Sequence, residues 1–394
     1  VGHDRRHHDA EQGVTAKPRL LIISFSRIEA DARVLKQVRR LSEDFEVHTV
    51  GYGAQVPEAV GHVRVPDEYP VWRYDRAAVI LRRFTRAYWS NNAIAYAAAA
   101  LRGSAWEVVL ANDVDAVGLA LAQDSAGGVH ADLHEYAPRQ KEDVWKWRVF
   151  VAPFVRWMCR RFVTQVDSVT TVGQGIADEY AREFGVKAGI VTNAAPYAQL
   201  SPTPVGTPLR LVHSGAALRD RNIGAVIDAA EATKTPVELA LYLTPNDPDY
   251  LAELRERAAA SARVTLHDPV PYDALPQALN GHDVGVHLLP PVNFNNRWAL
   301  PNKFFDYVQS RLGVVIGPSP EMTRELHAYG FGAVTEGFTA EDLTRLFDTL
   351  TPEDVARWKA AADAAAPRLS AQSQVEVWAS AVSALVGRGE APPS

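Results

Sequence analysis

One cysteine, Cys159, stands alone in 394 residues. A lone thiol excludes a disulfide framework and a CxxC metal site, and it fits a reduced, cytoplasmic setting. No run is long and apolar enough to span a bilayer. The first stretch, VGHDRRHHDAEQGVTAK, lacks the apolar core of a secretory signal. It reads as a flexible tail over residues 1–17, with His3, His7 and His8 part of that tail rather than a metal site. An excess of positive charge is also missing: the net charge is −6, which argues against bulk binding of nucleic acid. What remains is an ordinary globular composition, 47% hydrophobic and 22% charged. Its length suits two domains.

The chain alternates apolar runs with helical spacing. Residues 19–25 form a buried strand, 28–41 repeat apolar side chains every three or four positions, and 45–50 form a second strand. That order predicts a right-handed parallel βαβ unit. The loop Ser24-Phe25-Ser26-Arg27 falls at the carboxyl end of the first strand, where such sheets bind ligands. It has no glycine-rich fingerprint, so an NAD site is not expected. Further strands are expected at 108–111, ending at Asn112-Asp113, at 131–133, ending at His134-Glu135, and at 168–172 and 189–192. The stretch YAQLSPTPVGTP, residues 197–208, carries the linker, set at 197–207.

A second series opens with a strand at 209–213 and the loop Ser214-Gly215-Ala216-Ala217-Leu218-Arg219-Asp220-Arg221-Asn222. Gly215 lets the backbone approach a ligand, and Arg219 or Arg221 can fork onto phosphate oxygens. The alternative is a basic surface loop. Strands follow at 238–243, 264–267, 284–288 and 332–335, and from 339 onward the pattern is helical, with Trp378 in the last helix, 375–386. Asp113-Val114-Asp115 and Asp247-Pro248-Asp249 match a short acidic pattern used elsewhere to hold a metal and a diphosphate. About one or two such triplets arise by chance in a chain this long. Both are read as helix caps or turns, and no metal is expected.

The most informative stretch is NNRWALPNKFFDYVQSRLGVVIG, residues 295–317. Pro301 suits a helix start. Phe304, Phe305, Tyr307 and Val308 give an apolar face, and Val314–Ile316 a short buried strand. Asn302 and Lys303 then lie in the first turn, where free backbone N–H groups and the helix dipole favour an anion. Fed by Asn295 and Asn296, this is a candidate diphosphate seat. The plainer reading is an amphipathic helix with an exposed lysine.

Two segments mix arginine with aromatics. Residues 74–90 carry Arg82, Arg83 and Arg86 among Ile80, Phe84, Tyr88 and Trp89. Residues 145–162 hold Lys146, Arg148, Arg156, Arg160 and Arg161 and no acid. Such segments lie against anionic headgroups at a membrane surface, or pack as helices with solvated arginines and, in the second, a kink at Pro153.

The sequence PNKFFDY followed by VQSRLGVVI resembles a signature of the retaining GT-B glycosyltransferases, nucleotide-sugar-dependent enzymes with two Rossmann-like domains. One branch reads Pro-Asn-Lys-x-Phe-Glu-Tyr, then small residues and Gly-x-Pro-Val-Ile. Asp306 stands where the family places the second Glu of a Glu-x7-Glu pair that holds the ribose. The first Glu would fall at Trp298 and is absent. Arg311 replaces the usual Gly and Gly313 the usual Pro. Asp31 and Arg33 match the family's opening motif, though they also suit a plain helix cap and brace. Asp132-Leu133-His134-Glu135 and Asn193-Ala194-Ala195-Pro196 match further motifs.

The resemblance implies an α/β, GT-B fold of two Rossmann-like α/β/α domains facing across a cleft. Residues 18–196 would form the acceptor side and 208–366 the nucleotide-sugar side, with 367–394 crossing back to the first domain. Gly215, Arg219, Arg221, Asn295, Asn296, Asn302, Lys303 and Asp306 would hold the donor. His134, Lys303 and Arg219 would serve catalysis, and Arg27, Asp113, His134 and Glu135 would face the acceptor. The implied activity is retaining, metal-independent hexosyl transfer with no cofactor beyond the nucleotide sugar. The acceptor would be a glycan, a lipid-linked sugar or a small molecule. The protein would work in the cytoplasm, at the inner face of the membrane if 74–90 and 145–162 touch lipid. The missing Glu, the shorter Asp306 and Arg311 also suit a degenerate relative that binds sugar nucleotide or glycan without turnover. A sugar-nucleotide epimerase is the third reading.

Overall fold

A computed structural model describes residues 17–386. The expected tail, except Lys17, and the last eight residues of the chain lie outside the described residues. The first seven strands are β1 (Arg19–Arg27), β2 (Glu46–Tyr52), β3 (Gly61–Arg64), β4 (Ala105–Asn112), β5 (Asp124–Leu133), β6 (Ser168–Thr171) and β7 (Gly189–Ile190). They form one sheet in the order β3-β2-β1-β4-β5-β6-β7. The next six are β8 (Leu209–Ala216), β9 (Val237–Thr244), β10 (Val264–His267), β11 (Val284–His287), β12 (Gly313–Ile316) and β13 (Gly332–Val334). Their order is β10-β9-β8-β11-β12-β13. Every pairing in both sheets is parallel.

Parallel strands covered on both faces read as continuous apolar runs, and Leu20 to Ile23 are fully buried, as are Val314 to Ile316. In each sheet the strand order reverses once. The reversal falls between β1 and β4, where Ser24 pairs with Asn112, and between β8 and β11. Open α/β sheets bind ligands outside the carboxyl ends of strands at such a reversal. The loops after β1 and β4, and after β8 and β11, therefore fix where a site belongs before any side chain is considered.

Three elements differ from the periodicity. The expected helix over 28–41 is broken: a 3-10 turn, Ile28–Ala30, precedes the helix Ala32–Leu41. Asp31 stands at the break and accepts hydrogen bonds from the amides of Arg33 and Val34, so an N-cap outcompetes continuous winding. Around Pro153 a π-helical turn, Trp147–Val151, leads into the helix Ala152–Arg161, with the proline in its first turn. That position tolerates proline, and a change of winding takes the place of a kink. Finally, the last helix starts at Ala371 rather than 375 and runs to Val386; it packs on the first sheet, the direction in which 367–394 was expected to cross. Its Ala379, Val382 and Leu385 join Leu20, Ile22, Val34, Val38 and Leu110 in one core, and Arg40 bonds to Glu376.

The two sheets are clasped by a strap from the second. Between β11 and the helix Asn302–Gln309 lies a short helix, Phe294–Arg297. Its Phe294 sits in the core of the first sheet, under the guanidinium of Arg139, and its amide donates to Glu142. Trp298 lies so close to Gly175 that a Cβ there would meet the indole at 2.0 Å. Glu321, also from the second half, accepts from the Gly175 amide at 2.6 Å. It thereby caps the helix Gln174–Phe184 with a negative charge at its positive end.

Candidate active site

On the first-sheet side the site is built round Asp132, fully buried at the end of β5. Arg33 forks onto it with two 2.8 Å bonds, Gln37 donates at 2.7 Å and Thr170 at 2.7 Å. Burial alone would raise the carboxyl's pKa, but Arg33 and His134 override it and hold Asp132 ionised far below the usual range. Arg33 also reaches the Val191 carbonyl and the Asn193 side chain, which ties the exit of the first half to this charge pair. Asp31 and Arg33 thus act as cap and brace.

His134 stands above Asp132. Its Nε2 is 3.1 Å from Asn112 Oδ1 and 3.5 Å from Asp132 Oδ2, and its Nδ1 is 3.2 Å from Asp113 Oδ2. Both nitrogens face acceptors, an arrangement that suits the doubly protonated ring. Burial works against the charge, but Asp113 and Asp132 outweigh it and raise the pKa. His134, expected to face the acceptor and serve catalysis, thus has both ring nitrogens within reach of protein acceptors. Asp113, with φ of 63°, is the half-exposed group beside it. Glu135 points the other way. Its carboxylate receives Gln140 and the Asn295 amide, and burial, with Asp113 next, lifts its pKa to about 7. Arg27 is exposed and paired with Glu29 and Asp67. A cavity of about 540 Å3 runs between Arg27, Asp31, Arg33, His134, Asn193 and Asn302, so it is walled by both halves of the chain.

On the second-sheet side Lys303 lies in the first turn of Asn302–Gln309, a helix with no side-chain cap. The lysine runs beneath Gly215. That glycine has φ of 120°, and a Cβ on it would stand 2.9 Å from Lys303 Nζ. Only glycine suits both the conformation and the space. Lys303 Nζ is 3.3 Å from Nε2 of His213, whose Nδ1 donates to the Val286 carbonyl at 2.8 Å, leaving Nε2 as an acceptor. Burial and then Arg221 push the lysine's pKa down to about 7. Nearby, His287 is buried with neither ring nitrogen bonded, and the Ser214 hydroxyl has no partner either. Lys303 forms no ion pair with a carboxylate among the described residues, and with unbonded polar groups and uncapped helix amides beside it the arrangement can hold an anion.

Arg221 lies near this seat: its charge depresses Lys303, His213 and His287 alike, and its Nε is 3.7 Å from Asp220. Arg219 is engaged elsewhere: its guanidinium bonds to Glu253 and lies over Tyr250, so the expected pair of arginines reduces to one. Asn295 is likewise corrected. Its Oδ1 accepts from the Tyr136 amide and its Nδ2 reaches Glu135, which makes it part of the strap. The Nδ2 of Asn296 is buried without a partner. Asp306 is buried and its pKa is raised to about 7, by burial against the pull of Lys303 and Lys36. It lines a second cavity of about 430 Å3 with Lys36, Ala195, Tyr197 and Tyr272.

Sequence reasoning missed Lys36, His213, His287 and Tyr272. The two histidines had a signal: each interrupts an otherwise apolar strand, one at the end of β11 and one two residues before Gly215. Lys36 stands one helical turn after Arg33, on the same face. Among the described residues no three His, Cys, Asp or Glu side chains converge as metal ligands would.

No protein-family model and no curated protein matches the chain. Solved structures do. Sucrose-phosphate synthase from Thermosynechococcus elongatus superposes with a TM-score of 0.70 at 11% identity, over 94% of this chain and 100% of that one. HepE from Anabaena, in complex with UDP, gives 0.67 at 13% identity, over 93% and 99%. Trehalose 6-phosphate synthase from Burkholderia multivorans gives 0.64 at 12% identity, over 96% and 100%. The likeness is one of fold, and the fold is that of the GT-B glycosyltransferases.

Proposed function

We propose that this protein transfers a hexose from a nucleoside diphosphate sugar to an acceptor, with retention at the anomeric carbon and without a metal. The observation that carries the reading is Lys303 under Gly215, at an uncapped helix start, with Arg221 beside it and His287 unbonded. The UDP held by the Anabaena neighbour is consistent with a diphosphate in such a seat. In the step proposed, the bond from the anomeric carbon to the diphosphate oxygen breaks and its electron pair leaves on the diphosphate. The acceptor oxygen forms the new bond and its proton passes to the departing diphosphate. Lys303, Arg221 and the amides of Asn302 and Lys303 neutralise the leaving charge, the office a metal fills elsewhere. Asp306 and Tyr272 border the space for the ribose. Asp113, held by His134, receives the acceptor hydroxyl, and closure of the cleft excludes water. The faces at 74–90 and 145–162 are included as membrane contact.

The test is calorimetry with UDP, GDP, dTDP and their sugars, followed by transfer assays over glycan, lipid-linked and small acceptors. Binding of one diphosphate that Lys303→Ala abolishes supports the seat, and indifference to that substitution removes it. A second reading has its own observation. Trp298 occupies the place of the first carboxylate and is committed to the strap against Gly175, as suits a protein that binds sugar nucleotide without turnover. Tight binding with no transfer or hydrolysis across the acceptor panel would establish that reading. Conversion of the donor with no acceptor present would point to an epimerase.

A further inference from the structure

The helix Ala152–Arg161 and the turn before Phe84 enclose a shallow cavity of about 440 Å3 on the first domain, lined by Arg82, Arg156, Arg160 and Arg161 with Phe84 and Trp157 as its floor. It shares no lining residue with either cleft cavity. Four arginines line it, and among the described residues one carboxylate answers them: Glu183 lies 2.9 Å from Arg156 and 3.6 Å from Arg160, while Arg160 also lies over Phe184 and Arg161 over Phe162. Arg82 and Arg161 have no acidic partner among the described residues. Arg82 holds a left-handed backbone, φ 54°, just past Leu81, the C-cap of the helix Arg76–Ile80. Phe84 packs on Phe154 and Trp157, which fixes the two segments around the hollow. Four positive side chains lining one hollow favour an anion in it.

The surroundings say what kind of anion. The helix Arg76–Ile80 packs against the turn Trp147–Val151, and between them these segments expose Ile80, Leu81 at 63%, Trp145 at 57%, Val149 and Phe150. Isolated exposed apolar residues need no explanation, but an apolar cluster beside unpaired arginines does. A soluble phosphate would use the arginines and leave the apolar side chains in water. An anionic phospholipid uses both: the phosphate enters the guanidinium cage while tryptophan, leucine and phenylalanine settle among the upper acyl carbons. We propose that this cavity is a headgroup site for an anionic phospholipid and that the face carrying it docks on an anionic bilayer. It rests on the membrane contact proposed for these two segments, and it stands whatever the cleft does.

The test is co-sedimentation of the full chain with vesicles of phosphatidylcholine alone, or of phosphatidylcholine with phosphatidylglycerol, in the absence of nucleotide. The expected result is partition onto the phosphatidylglycerol vesicles only, weakened by salt. The double variant Arg82→Gln/Arg161→Gln should weaken that partition about 30-fold. Leu81→Ser/Phe150→Ser should weaken it while keeping its salt dependence. All four side chains are at the surface, and unchanged thermal melting checks that the variants fold. Inorganic phosphate is the control for a soluble ligand. If phosphate raises the melting temperature through Arg82 and Arg161 while vesicles recruit nothing, the ligand is a free anion and the membrane proposal fails. Equal partition of the arginine variant and the parent, or no partition at all, overturns it as well. Nucleotide binding in the cleft is read separately by calorimetry, so loss of one reading leaves the other intact.

Discussion

Lys303 combines two states that pH separates. Its pKa of about 7 means that the ammonium is present below that value and lost above it, whereas an unfolded lysine keeps its proton to about 10.4. Between those values the folded chain binds fewer protons, so the lysine makes stability rise with pH across that window. Diphosphate binding runs the other way, because the anion needs the charged amine. Asp306 gains its negative charge near the same pH and also opposes a bound diphosphate. Affinity for UDP or GDP, measured by calorimetry, is therefore expected to fall at least about tenfold between roughly pH 6 and pH 8, and Lys303→Met should flatten the profile. Lys303→Ala should cut transfer on the order of a hundredfold or more without lowering the melting temperature, since it removes a poorly paired charge. The buried pair behaves oppositely. Arg33→Ala takes the doubly bonded partner from the buried Asp132 and leaves it only His134, Gln37 and Thr170, and a loss of about 3–5 kcal/mol in urea unfolding is expected. Arg311, fully buried with φ of 61°, bonds to Asp363 and to the carbonyls of Gln309 and Ala198. Its departure from the family's glycine is thus structural, and it says little against catalysis.

At the scale of elements, Gly215 and the uncapped helix Asn302–Gln309 make one device, a strand end and a helix start closing on a lysine. Gly215→Ala forces the amine aside and strains the backbone, and a loss of at least about tenfold in nucleotide affinity is expected by calorimetry. Much of this device was legible in sequence. Pro301 and the aromatic spacing set the helix, and an apolar run ending in Ser-Gly set the strand. What could not be read was partnership across the chain. Arg219 and Arg221 look equivalent in sequence, but Glu253, more than thirty residues away, claims the first. Asn295 looks like a ligand-binding asparagine until Tyr136 and Glu135 are seen to occupy it. The partners of His134 are equally hidden, because Asn112, Asp113 and Asp132 meet it only once β4 and β5 lie side by side. Periodicity reports which face of an element is apolar, and says nothing of which distant polar group reaches it first.

For the whole molecule, the two halves are joined by more than the segment between β7 and β8. The strap at Phe294 and the cap from Glu321 bind the second half to the first, and the final helix sits on the first sheet. Trp378 is 1% exposed, beneath Arg33. Trp378→Ala is expected to cost about 3–5 kcal/mol in urea unfolding, although the residue lies in neither cavity wall of the cleft. The seating of that last helix also sets an order of events during synthesis. Leu20, Ile22 and Val34 leave the ribosome more than three hundred residues ahead of Ala379, Val382 and Leu385, which complete their packing. The first sheet is therefore finished only after the second has been translated, and until then its open apolar face is a natural client for a chaperone.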